Sequence, residues 1–247
     1  MSATKLQRTA AANLQQLSTN PYPGRGVAQG LSDDGRIVQI VWLMGRSANS
    51  RNRVYRSINA HVYADAIDHT DVINPELVMY TAMESVDGYH VVGNGRQTDA
   101  IADGWRSKRR EAYTSLATWS FEPDEPHFTP RISATARLVG DAAWSPAVQM
   151  DHVIISRGDG GKAERNLLSS YGSHGLAFCM TTYQGDGNPL PRFTGLPYLV
   201  PLHGDDHDIA YRFWNALNTD NRVALALKSV SVDDPSDFRI KIINKHR

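Results

Sequence analysis

The chain has 247 residues, 41% of them hydrophobic, with 26 basic and 26 acidic side chains and no formal net charge. That length suits one large globular domain or two small ones with a core of ordinary size. Balanced charge excludes a general polyanion binder, which would carry a basic surplus over a whole face. No nucleic-acid partner is therefore expected, and any arginine cluster is local and suited to a small anion. The single cysteine, Cys179, excludes a disulfide framework and a Cys-x-x-Cys metal site. The opening Met-Ser-Ala-Thr-Lys-Leu lacks the apolar run of a signal peptide, and no stretch approaches the roughly 18 apolar residues of a membrane helix. A soluble, cytoplasmic protein without a membrane partner is the expectation.

Residues 4–17, with Leu6, Leu14 and Leu17, predict a short helical arm closed by Ser18-Thr19-Asn20-Pro21-Tyr22-Pro23-Gly24. This divides the chain into an arm over 1–19 and a single domain over 20–247. Strands at 25–30 and 36–45 flank a turn in which Asp34-Gly35 signals a hairpin. Ile37–Met44 is too apolar for a strand with one buried face, so layers are expected above and below it. Further strands are expected at 53–62, 77–86, 89–93, 131–139, 149–156, 176–183, 223–232 and 238–243. Two helices are predicted, over 98–119 with Thr98 or Asp99 as cap, and over 206–218 with Ile209, Phe213, Trp214 and Leu217 on one stripe. Residues 184–191, Gln-Gly-Asp-Gly-Asn-Pro-Leu-Pro, are irregular. The pattern is that of one α+β domain with two packed sheets and helices outside.

Several constellations carry possible chemistry. Arg25, Arg46, Arg51 and Arg53 lie near strand ends, where hairpin geometry can bring distant residues together around an anion; a solvated or salt-bridged surface set is the alternative. Val91–Asp99 passes from a strand through Asn94-Gly95 into a helix start. Its backbone N–H groups suit an anion or carbonyl oxygen, or simply a capped turn, and no Lys-Ser or Lys-Thr follows to make a Walker loop. Between Trp119 and Ile132, Glu122 lies among aromatics and prolines. Desolvation by Trp119 and Phe121 would tune it for proton transfer, unless the segment is a solvated connection. His203–Asp208 has metal-ligating residue types without an established spacing, and its acids suit the first turn of a helix; no metal site is expected. Arg106–Arg110 reads as a solvated helix face, Ser156–Lys162 as a flexible turn and Cys179 as a core residue.

Four of these segments, in order, resemble the archaeal-type IMP cyclohydrolase family. Tyr22-Pro23-Gly24-Arg25 is similar to its opening Tyr-x-Gly-Arg, and Arg46-Ser47 with Asn52-Arg53 to its Arg-Ser…Asn-Arg. Val92-Gly93-Asn94-Gly95-Arg96-Gln97-Thr98-Asp99-Ala100-Ile101 resembles Val-x-Asn-Gly-x-x-Thr-Asp-x-Ile. Phe121-Glu122-Pro123-Asp124 with Thr129-Pro130-Arg131-Ile132 resembles Tyr-Glu-Lys-Asp…Thr-Pro-Arg-Ile, with Pro123 where the family has lysine. The resemblance covers roughly residues 20–140. It implies a four-layer α-β-β-α fold like that of N-terminal-nucleophile hydrolases without their nucleophile, and a homo-oligomer. It implies closure of 5-formamidoimidazole-4-carboxamide ribotide (FAICAR) to IMP with loss of water, with no metal or organic cofactor. The roles it implies are Glu122 for proton transfer, Tyr80 as donor or relay, and Arg53 to orient substrate oxygens, with Arg25, Arg46, Asn52, Asn94, Gly95, Thr98, Asp99 and Arg131 binding substrate. Two other readings stay open: an amide hydrolase or cyclase on another purine or imidazole ribotide, and a non-catalytic nucleotide-binding protein.

Overall fold

The computed structural model describes residues 3–70, 72–108, 111–139 and 147–246, with six helices and thirteen strands among them. In chain order these are α1 (Ala3–Thr19), β1 (Gly26–Leu31), β2 (Ile37–Met44), α2 (Ala48–Arg51), β3 (Arg53–Ile58), β4 (His61–Ala66), α3 (Pro75–Val78), β5 (Tyr80–Val86) and β6 (Tyr89–Gly93). There follow α4 (Gln97–Lys108), α5 (Ala112–Ser115), β7 (Arg131–Val139), β8 (Ala147–Arg157), β9 (Ala163–Tyr171), β10 (Leu176–Thr181), β11 (Tyr198–Pro201), α6 (Asp206–Ala216), β12 (Arg222–Val230) and β13 (Phe238–Asn244). Two antiparallel sheets result. One has the order β11-β10-β1-β2-β12-β13, and the other is a meander, β3-β4-β5-β6-β7-β8-β9.

β2 explains the layering. All eight of its residues are buried, and because side chains alternate along a strand they divide between two cores. Val38, Ile40, Trp42 and Met44 pack with Phe213, Trp214 and Leu217 of the α6 region and with Leu17 of α1. Val41 and Leu43 face the second sheet, where they meet Tyr55, Val62, Ala82, Val92 and Ile132. On the outer side of the second sheet, Val91, Val153 and Ile155 pack with Ile101 and Trp105 of α4 and with Leu116 at the end of α5. The result is an α+β sandwich of two sheets with helices on the outer faces, and Ile37–Met44 is doubly buried as its composition requires. Among the described residues no helix is long and apolar enough to cross a membrane.

Some expected elements are corrected. The run 53–62 is two strands, because Asn59 takes a left-handed conformation (φ 53°) and turns the chain at Asn59-Ala60. The strand expected at 77–86 begins only at Tyr80, since Pro75 starts a helical turn. The helix expected over 98–119 ends at Lys108 and a separate short turn follows at 112–115; residues 109–110 of the basic run lie outside the described residues. β9 and β11 were not legible: Ala163–Tyr171 lacks alternation and forms a strand because the edge of β8 pairs with it over nine residues. The 206–218 helix is capped as its sequence indicates, with Asp205 accepting the Asp208 N–H.

Candidate active site

The starts of β1, β3, β5 and β7 and the ends of β2, β6 and β10 share one end of the sandwich. A cavity of about 330 Å³ opens there. Its lining comes from Tyr22 and Arg25 just before β1, Arg46, Ser47, Ser50 and Arg53 around α2, the 73–78 segment, and Glu122, Asp124, His127 and Thr129 before β7, closed by Tyr183 and Leu190. Gly24 makes this convergence possible. Its φ is +72°, and a Cβ there would lie 2.3 Å from Thr182 Oγ1 and 2.4 Å from Tyr183 Cδ2, so only glycine lets the Arg25 strand lie against Tyr183.

Arg25 and Glu122 form the buried centre, 8% and 1% exposed. The Arg25 guanidinium donates to Glu122 Oε1 at 3.0 Å, to the Asn94 carbonyl at 2.9 Å, and also to Glu122 Oε2. Burial alone would push the Arg25 guanidinium down, but the Glu122 charge outweighs it and holds Arg25 well above the ordinary arginine value. Arg131 reaches Glu122 Oε1 at 3.5 Å and stacks over Trp119 at 5.2 Å. Trp119 therefore packs on the cation beside Glu122, and Phe121 packs edge-on against Phe128.

Arg53 is 7% exposed and its guanidinium donates only to main-chain carbonyls, Ser50 at 2.9 Å and Met44 at 2.9 Å. Among the described residues no carboxylate pairs with it. Burial first, and then the Arg25 charge, push its pKa down, as expected for a cation missing a counter-charge. Tyr80, at the start of β5, is buried beside these groups; burial raises its phenol, and the Arg25 and Arg53 charges, with a hydrogen bond toward Arg25, oppose that. Arg46 lies at the mouth, over the Tyr22 ring at 4.8 Å and paired with Asp186. Asp186 belongs to the irregular 184–191 segment.

Of the residues singled out in the sequence, Arg25, Arg46, Arg53 and Glu122 line the cavity, while Tyr80 and Arg131 sit directly behind it. Arg51 does not join them; it is exposed and donates to the Gly45 carbonyl. Asn52, Asn94, Gly95, Thr98 and Asp99 do not line the cavity. Asn52 clamps Asp68 by two hydrogen bonds, to its carbonyl at 2.6 Å and from its N–H at 2.8 Å. Fully buried Asn94 ties the turn to β7, donating to the Pro130 carbonyl and accepting from the Ile132 N–H, both at 2.9 Å. Thr98 bonds back to the Gly95 carbonyl at 3.0 Å, and burial raises the half-buried Asp99 carboxyl against its bond with Thr81. At Gly95 a Cβ would come within 2.8 Å of Arg131 Nη1 and 3.1 Å of Glu122 Oε1. The Asn-Gly turn is thus a frame for Glu122 and Arg131.

Sequence reasoning missed Tyr22, Asp124, His127, Thr129 and Tyr183 as lining residues. Tyr22, Asp124 and Thr129 stood inside the motifs already noted; Tyr183 was only the end of an expected strand, and its place beside β1 follows from the β1–β10 pairing. Thr129 donates to Asp124 and lies 2.5 Å from the Tyr183 hydroxyl. The Asp205, His207 and Asp208 ligand atoms lie within 4.8 Å of one another on the exposed start of α6, far in sequence and element from this cavity, and Asp205 serves there as helix cap.

The sequence model of a family described as IMP cyclohydrolase-like protein matches residues 22–234. An IMP cyclohydrolase of Methanopyrus kandleri is 32% identical over 156 residues, covering 62% of this chain and 76% of its own length. One of Thermococcus kodakarensis is 26% identical over 157 residues, 63% of this chain and 76% of its own. With most of its length matched and its motif residues gathered at one sheet end, this chain belongs to the IMP cyclohydrolase-like family.

Proposed function

We propose that the chain is an IMP cyclohydrolase that closes FAICAR to IMP with loss of water. The observation that carries this reading is Arg53, a buried guanidinium with no carboxylate partner among the described residues, at the wall of a cavity that also holds Arg25 and Arg46. A buried cation without counter-charge is costly and is relieved by an anionic ligand. A ribonucleotide phosphate, with up to two negative charges, supplies that charge through bidentate guanidinium contacts. The cavity volume falls at the lower end of the ~300–1,000 Å³ typical of small-ligand sites.

In the reaction the carboxamide nitrogen attacks the formyl carbon, a C–N bond forms, and the formyl oxygen leaves as water. The carboxamide nitrogen gives up one proton on attack and the formamido nitrogen a second on dehydration; both depart on that oxygen. Confinement supplies much of the rate, because the nitrogen is a weak nucleophile that must be held against the carbon. Glu122 carries the protons: Oε1 accepts from both Arg25 and Arg131, while Oε2 keeps a lone pair beyond its Arg25 contact. Arg53, in the cavity wall, orients substrate oxygens, and the Tyr80 hydroxyl behind it serves as hydrogen-bond donor or relay. Arg46 is at the mouth, where a phosphate would displace Asp186. The order helix, sheet, sheet, helix supports the further reading of the scaffold as one of N-terminal-nucleophile-hydrolase type.

The test is chromatographic detection of IMP formed from FAICAR above the uncatalysed background, with and without a chelator. Chelator-insensitive formation that collapses in Arg53→Ala and Glu122→Gln is expected. Folded wild-type protein that forms no IMP sinks the reading.

A further inference from the structure

We infer that His127 is a further substrate-contacting residue, presenting a neutral Nε2–H donor to an uncharged acceptor oxygen on the base portion of the substrate, with its tautomer set by the 184–191 segment; this deepens the proposed reaction and rests on it. The Leu190 backbone N–H donates to His127 Nδ1 at 3.2 Å. Nδ1 is therefore the acceptor nitrogen, and in the neutral ring the proton sits on Nε2. His127 lines the cavity, so the ring offers a donor without a charge. Leu190, itself 7% exposed, lines the same cavity.

The neighbouring groups on this wall are already committed. Thr129 has one hydroxyl proton and gives it to Asp124, so the 2.5 Å contact with Tyr183 is made by the Tyr183 proton. Asp124 further accepts the Thr129 N–H at 2.7 Å. Tyr183 thus shows the substrate its ring, and Asp124 shows it only acceptors. His127 is set apart from Arg46 along this wall: Arg46 lies over Tyr22, Tyr22 stacks on Tyr183 (6.0 Å, 18°), and His127 meets Tyr183 edge-on (6.4 Å, 67°). Two aromatic rings separate it from Arg46, so its acceptor belongs to the base rather than the phosphate.

The residue that follows His127 is strained. Phe128 has a φ of 45°, a left-handed conformation for a bulky residue. Arg157 stacking over its ring at 3.9 Å and Phe121 edge-on at 5.6 Å hold it there. Such outliers persist where the surroundings over-determine them, and they concentrate at functional sites.

The experiment combines imidazole nitrogen NMR with kinetics on the full chain. An Nε2-protonated, Nδ1-unprotonated His127 at neutral pH, whose Nε2 signal moves on addition of IMP, is expected. His127→Phe should raise KM for FAICAR tenfold or more, and His127→Gln, which restores a side-chain N–H donor, should recover most of that loss. An Nδ1-protonated ring, an unmoved Nε2 signal, or a His127→Phe enzyme with unchanged KM and kcat overturns the inference while leaving the reaction intact. A wild-type protein that forms no IMP overturns the reaction and the His127 assignment together.

Discussion

Replacing Glu122 by glutamine tests whether the carboxylate is a counter-ion as well as a reacting group. The side chain is 1% exposed and both oxygens accept from Arg25, with Arg131 3.5 Å away. Breaking a buried pair by removing one partner costs about 3–5 kcal/mol. Glutamine keeps the shape and one acceptor oxygen but turns an N–H₂ donor toward a guanidinium, so the expected loss is at the lower end, about 3 kcal/mol. Arg53 adds to it, because Arg25, Arg53 and Arg131 would then crowd together without the glutamate. For a chain of this size 1 kcal/mol corresponds to roughly 2–4 °C in Tm, which predicts a fall of about 6–12 °C. Thermal unfolding at pH 7 and low salt measures it, with and without inorganic phosphate. The variant should recover more from phosphate than the wild type gains, since an anion replaces the lost charge. A Tm within about 2 °C of wild type, or no extra phosphate response, would refute the view of Glu122 as the electrostatic keystone of the guanidinium cluster.

Acid should destabilise the fold in a defined window. Burial lowers both His90 and His152 from 6.5 to about 4, so between pH 6.5 and 4 the unfolded chain binds protons the folded chain does not, and stability falls as pH drops through that range. Each ring contributes up to about 3 kcal/mol of that loss; His152, fully buried and shifted by burial with no charged neighbour among its causes, is the cleaner test, and urea titrations at pH 7 and 4.5 should show a smaller difference in His152→Leu. Asp186→Asn should leave Tm nearly unchanged, because its pair with Arg46 is half exposed and such pairs contribute about 0–1 kcal/mol. The same variant should lower KM for the phosphorylated substrate by freeing Arg46; an unchanged KM would show that the Arg46–Asp186 contact does not compete with substrate.

What the sequence determined by itself was local. The unbroken apolar run of β2 required cover on both faces, because a strand has only two faces and both were greasy. Asp205 ahead of an apolar stripe capped α6 through its own short side chain, a bond within four residues. The motif order identified Arg25, Arg53 and Glu122 as belonging together, although nothing in their spacing said how. Tertiary structure decided the division of labour among neighbours. Arg51 and Arg53 are two residues apart, yet the turn out of α2 sends one to solvent and buries the other. Asn94 and Thr98 looked like ligand donors, but their polar groups are spent bonding the turn and β7. His127 and Tyr183, 56 residues apart, became one wall only when β10 paired with β1 and brought its end beside Arg25. Strand pairing and burial depend on partners far away in the chain, and they set which polar groups are satisfied by the protein and which, like Arg53, are left for a ligand.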